Sequence, residues 1–144
     1  MVTNTAIVSA SGNSTGLHPN VGTVTQTTRP LAGADAGNYT LTPFTSAANY
    51  TITPLALTGT IIGPSTSIYA AALTPGTVGF GNIVSTPSGN PDIVTATASV
   101  NTSTLSTSGN PIVGSYTQTV AAGTPGGADG GNYILNSPFT SAAN

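Results

Sequence analysis

The sequence predicts an all-β chain of tandem, sandwich-sized modules, and three observations carry that prediction. Val94, Ala96, Ala98 and Val100 alternate with Thr95, Thr97 and Ser99, the period-two pattern of a half-buried strand. Turn punctuation is dense: Ser11-Gly12-Asn13, Pro75-Gly76, Pro87-Ser88-Gly89-Asn90-Pro91, Ser108-Gly109-Asn110-Pro111 and Pro125-Gly126-Gly127. Short strands between such turns are the mark of a sandwich or barrel. Finally, the chain repeats itself with a period of about 92–95 residues, close to the ~100 residues of one β-sandwich.

The elements follow in order. Val24 lies in a Thr/Gln-rich strand with one face in solvent, as does Tyr116 in the second copy. Tyr39 and Leu41 alternate with Thr40 and Thr42. Tyr50 and Ile52 alternate with Thr51 and Thr53 until Pro54 interrupts, because proline removes a ladder donor. Leu55, Leu57, Ile61 and Ile62 suggest the next strand, and Phe80, Ile83 and Val84 another. Ile68–Leu73 is the one helix candidate; six residues do not hold a helix alone, so a strand or single turn is expected.

The repeat sets the domain organisation. Residues 33–49 and 127–144 align with one insertion near Ser137, and fourteen of 17 aligned positions are identical. Upstream, an offset of 92 aligns Val8 with Val100, Pro19 with Pro111, Val21-Gly22 with Val113-Gly114, and Thr25-Gln26-Thr27 with Thr117-Gln118-Thr119. Residues 1–53 are therefore the C-terminal part of one module. Residues 54–144 are a nearly complete second module lacking its last strand, since the first copy runs past Asn49 into Tyr50-Thr51-Ile52-Thr53 and the second stops at Asn144. This phase predicts a window on a longer tandem array. The alternative is a filament or sheath subunit with an open module at each end, in which Tyr50, Thr51, Ile52 and Thr53 form an inter-chain strand. The absence of Lys and Glu removes common guards of exposed strand edges.

Composition excludes several functions. Charged residues are 3% of the chain, namely Arg29, Asp35, Asp92 and Asp129, and the formal net charge is −2. Thr (27), Ala (18), Gly (18), Ser (15), Asn (12) and Pro (11) dominate instead. One cation cannot neutralise a row of phosphates, so no nucleic-acid partner is expected. No cysteine is present, which removes disulfides, thiolate zinc sites and thiol nucleophiles. No apolar run approaches the ~20 residues that span a bilayer, so no membrane insertion is expected. No signal-peptide pattern occurs within these residues. With 38% hydrophobic residues and little charge repulsion, collapse is favoured over disorder.

Candidate sites are sparse. Asp35 and Asp129 are better read as turn residues than as calcium ligands, because calcium takes about six to eight oxygens, usually from several carboxylates. His18 aligns with Asn110, and one imidazole makes no metal site. Arg29 aligns with Ala121. Thr23, Thr25 and Thr27 alternate, but no short period is sustained, so β-propensity is favoured over an ice-binding face. No Ser is joined by a His/Asp pair recurring in both copies. No enzyme activity and no cofactor are expected.

One motif has mechanical content. Asp35, Gly37 and Tyr39 recur as Asp129, Gly131 and Tyr133, both reading D-x-G-x-Y. This resembles the corner before strand F of immunoglobulin-like sandwiches, where a Tyr hydroxyl bonds back to nearby backbone. The resemblance implies tandem immunoglobulin-like β-sandwich modules, with a β-grasp-like or other small β module as the alternative. In that reading Gly supplies a permissive dihedral and Asp bonds the turn.

The longer stretch Gly33-Ala34-Asp35-Ala36-Gly37-Asn38-Tyr39-Thr40-Leu41-Thr42, followed by Tyr50-Thr51-Ile52-Thr53-Pro54-Leu55-Ala56-Leu57-Thr58, resembles the module ending of YDG-type repeats. It is also similar to the glycine-rich, mostly-β tandem repeats of large secreted bacterial adhesins of the filamentous-haemagglutinin type. The resemblance implies an extracellular, cell-surface role as a stalk or fibre. The implied partners are neighbouring repeats or other copies of the chain. A glycan-binding role would need an aromatic-lined face, and Tyr39, Tyr50, Tyr116 and Tyr133 read more simply as core or corner residues.

Overall fold

In a computed structural model describing all 144 residues, the chain is all β apart from two short 3-10 turns, with no α-helix. The first copy contributes β1 (Ala6–Ser9), β2 (Gly22–Thr28) and β3 (Tyr50–Ile52), joined antiparallel in the order β1-β2-β3. β3 lies against the start of β2, with Val24 opposite Tyr50 and Gly22 opposite Ile52. β1 lies against its end, with Ser9 opposite Thr25 and Ala6 opposite Thr28.

The second copy opens with β4 (Leu55–Ala56), β5 (Ile61–Ile62) and β6 (Val78–Gly79), and continues with β7 (Ser99–Val100), β8 (Gln118–Val120), β9 (Tyr133–Ile134) and β10 (Phe139–Thr140). β8 sits between β10 and β7 in a three-stranded antiparallel sheet. β5 pairs antiparallel with β6, and β4 pairs parallel with β9. Pro54 separates β3 from β4, so the run Tyr50–Leu57 closes the sheet of one copy and then enters the next.

Only 14 of 144 residues are buried; Val24 is the one buried apolar side chain of the first copy, and the core cluster lies in the second. Leu57, Ile62, Ala98, Val120, Tyr133 and Leu135 form it, with Phe80, Ile83, Val84 and Phe139 packed around. Along residues 94–100 the even positions point inward and the odd ones outward, as their alternation predicted. The expected strand at Phe80–Val84 lies earlier, at Val78–Gly79. Asn82 turns the chain there, donating from Nδ2 to the Ala56 carbonyl (2.8 Å) and accepting the Thr58 N–H at Oδ1 (2.9 Å). Phe80 and Val84 still reach the core, from a loop. Within the helix candidate 68–73, residues 68–71 form a single turn, with Ala71 N–H donating to the Ile68 carbonyl and Ala70 at φ 66°.

The first copy has no counterpart of residues 54–92, the segment that covers this core. Its equivalents are therefore bare: Tyr39 is 63% exposed, against 1% for Tyr133, and Leu41 39%, against 7% for Leu135.

One turn occurs three times. In Ser14–Pro19, Thr86–Pro91 and Ser106–Pro111 the first residue's N–H donates to the carbonyl of the fifth, at 2.8, 2.9 and 2.8 Å. The first hydroxyl also accepts the N–H of the fifth residue each time. The fourth residue is left-handed: Gly89 at φ 87°, Gly109 at φ 78°, and Leu17 at φ 61°. A leucine in that conformation is strained by its Cβ, and Leu17 sits exposed at the turn's tip.

The corner motifs need glycine at a different place from the one expected. Gly37 and Gly131 have ordinary φ angles, and a Cβ on either would meet open space. The left-handed residues are Gly33 (φ 106°) and Gly127 (φ 92°), where an added Cβ would collide with the carbonyl oxygens of Met1 and Ile93 respectively. Gly127→Ala should therefore destabilise the second copy by more than ~1 kcal/mol through backbone strain and clash. Gly131→Ala should stay within about 0.5 kcal/mol of the parent. Thermal melts of the two variants check the contrast.

Candidate functional site

Of the residues singled out in the sequence, Asp129 and Tyr133 bear on the joint between the two copies, whereas Asp35, Tyr39 and Tyr50–Ile52 lie away from it. Asp129 opens a single 3-10 turn, Gly130–Asn132, and Tyr133 follows it into β9. Asp35 opens the matching turn, Ala36–Asn38. Neither aspartate caps its turn with its side chain. Asp129 reaches outward instead: Oδ2 accepts the Ile93 N–H at 2.7 Å and Oδ1 the Thr15 N–H at 3.0 Å. In the first copy, Asp35 pairs with the amino terminus of Met1, the position aligned with Ile93.

Tyr133 is the most deeply buried large side chain. Its hydroxyl donates to Asp92 Oδ2 at 2.7 Å and accepts the Val84 N–H at 3.1 Å. The corner resemblance implied a bond to nearby backbone; this one reaches a residue 49 positions upstream. Tyr39 makes no such bond, since the first copy holds neither partner.

Asp92 carries the network across the joint. Its Oδ1 accepts the N–H of Gly16, from the first copy, at 2.5 Å. A Cβ at Gly16 would collide with that same carboxylate. Asn132 completes the joint: Oδ1 accepts the Val21 N–H at 2.8 Å, and Nδ2 donates to Asn20 Oδ1 at 2.9 Å. A tongue spanning residues 14–21 thus presents backbone donors, and the second copy answers with two buried carboxylates and an amide. Backbone N–H to carboxylate bonds are among the stronger protein hydrogen bonds.

Electrostatics follow from this burial. Burial works to raise the Asp129 carboxyl, but the N–H groups of Ile93 and Thr15 outweigh it and hold the group below the usual carboxylate range. Burial pushes the Tyr133 hydroxyl up to about 12, helped by its bond to Asp92 and opposed by the Val84 N–H.

A second set of contacts repeats in both copies. Gln26 and Gln118 donate from Nε2 to Asn49 and Asn144 Oδ1, at 3.0 and 2.8 Å. Their own N–H groups donate to Ser46 and Ser141 Oγ, at 3.0 and 3.1 Å. The hydroxyls of Thr27 and Thr45, and of Thr119 and Thr140, meet at 2.9 and 2.8 Å. These threonines are cross-strand pairs. Tyr50, Thr51 and Ile52 pair within their own chain as β3, and Thr53 follows them. His18 is exposed within the tongue, its N–H bonded to Ser14 Oγ, and Arg29 is exposed outside it.

Asp92, Asn132, Gly16 and the two glutamines escaped the sequence reading. Asp92 has no counterpart in the first copy, so repetition could not mark it. The glutamines carried a usable signal, since Thr-Gln-Thr and Ser-Ala-Ala-Asn recur together in both copies.

No protein-family model matches the chain, and neither a curated protein nor a solved structure matches it.

Two predictions follow from the joint's chemistry. Tyr133→Phe leaves the Val84 N–H and an Asp92 oxygen without partners and should cost about 1–3 kcal/mol. A tyrosine raised in the folded state stabilises fully below its unfolded value near 10, and that stability is lost as pH rises toward 12, at ~1.4 kcal/mol per pH unit. Denaturation of the parent across that range should show the loss, and Tyr133→Phe should lack it.

Asp129 behaves in the opposite sense. Its depressed folded value stabilises above the unfolded value near 4, and the contribution is lost as pH falls through the folded value. Asp129→Ala should flatten that acid limb and speed amide exchange at Thr15 and Ile93, measured by NMR.

Proposed function

We propose that this chain is a non-catalytic structural repeat of a bacterial extracellular adhesin or surface fibre, its modules stacked as immunoglobulin-like β units. The observation that carries this reading is the joint. The tongue of one copy seats on two carboxylates and an amide of the next, so one module orients its neighbour and does more than trail from it. The sequence repeat supports it as well, because the glutamine clasp and the threonine pairs recur with the same partners. The work is mechanical: modules that interlock end to end hold a distal part away from a cell.

The test is to lengthen the chain in register, adding residues 50–144 after Asn144 once and then twice. The expected result in X-ray scattering is a rod whose maximum dimension grows by one constant step per added module. Growth with roughly the square root of length, as in a flexible string, would overturn the reading.

A further inference from the structure

The two copies differ at one edge. In the first, β2 runs over seven residues because β3 pairs with Gly22–Val24. In the second, β8 is only three residues long. The aligned positions, Gly114, Ser115 and Tyr116, have no partner strand, and none of their N–H groups donates within the chain. Asn144 donates its N–H to the Tyr116 carbonyl at 3.1 Å, as Asn49 does to Val24 at 3.2 Å in the first copy. In the first copy the residue after that asparagine begins β3.

We propose that the edge Gly114–Tyr116 is a strand-accepting slot, and that its occupant is a tandem-joined Tyr-Thr-Ile-Thr strand, the sequence of Tyr50–Thr53. The inference rests on the tandem-repeat reading and names the partner that completes each module. The repeat fixes its register: the Tyr lies opposite Tyr116, the Thr opposite Ser115 and the Ile opposite Gly114, as in β3 against β2. A cleft of about 240 Å³ opens at this edge, lined by Gly114, Tyr116 and Asn144 with Val100, Ile68 and Leu73. Its apolar wall suits the aromatic and aliphatic residues of the strand, and its free amides supply the ladder. Val113 beside it is 87% exposed, whereas its equivalent Val21 is partly covered and bonded to Asn132. A strand held in tandem is favoured over one from a second molecule, because Tyr50–Ile52 of any copy is already paired with its own β2.

The experiment extends the 144-residue chain by Tyr-Thr-Ile-Thr-Pro and compares it with the same chain extended by Gly-Ser-Gly-Ser-Gly. Amide exchange by NMR and sedimentation are the readouts. The expected result is a monomer in which exchange across Gly114–Tyr116 slows about tenfold or more relative to the Gly-Ser extension. Equal exchange in the two extended chains overturns the proposal. So does a dimer of the unextended chain with these amides protected, which makes a second copy the occupant. Rod-like growth of the longer concatemers with these amides still unprotected removes the slot alone; flexible growth removes the tandem reading beneath it.

Discussion

The carboxylate of Asp92 is the constraint on which the rest of the molecule depends. It is 6% exposed in a chain with one cationic side chain, and that residue, Arg29, is exposed and makes no ion pair with it. A buried anion without a counter-ion is tolerated only where donors surround it. Here they come from the core tyrosine on one side and the first copy's backbone on the other. Packing of the second copy and docking of the first are therefore satisfied by one group. Displacing the tongue would strip Asp92 of a donor inside the fold, and loosening the core would move the surface on which the tongue sits.

The two copies also separate local from long-range causes of structure. Asp35–Tyr39 and Asp129–Tyr133 adopt the same 3-10 turn, with Asn N–H to Asp carbonyl distances of 3.0 Å in both. Local sequence is enough for that. The fate of the tyrosine is not local: buried with two partners in one copy, open to solvent in the other. The covering segment, 54–92, decides it. Near-identical sequences thus share a backbone and differ in energy.

This divides what could be read in advance from what could not. The β class, the inward face of residues 94–100 and the break at Pro54 followed from alternation and proline chemistry, both local properties. The corner was visible because it recurs. Its bonding was not, because Gly16 meets Asp92 across 76 residues and Thr15 meets Asp129 across 114, and no spacing rule links such distant positions. The misplaced strand at Phe80–Val84 shows a different limit: periodicity found residues that face the core, while Asn82 bent the backbone that carries them. Glycine was misjudged for a related reason, since Gly131 looked essential in the motif while the close approach of Ile93 falls on Gly127.

Burying Asp92 and Asp129 leaves the outside of the molecule with two formally charged side chains, Arg29 and Asp35. Such a surface projects almost no field into the surrounding water. Ions have little to screen there, and the Gly16–Asp92 bond at the joint is buried, so the strength of the joint should depend little on salt. Hydroxyls, amides and scattered apolar side chains such as Leu17, Phe44 and Ile68 meet the environment, and the exterior is close to neutral toward charged polymers and charged surfaces alike.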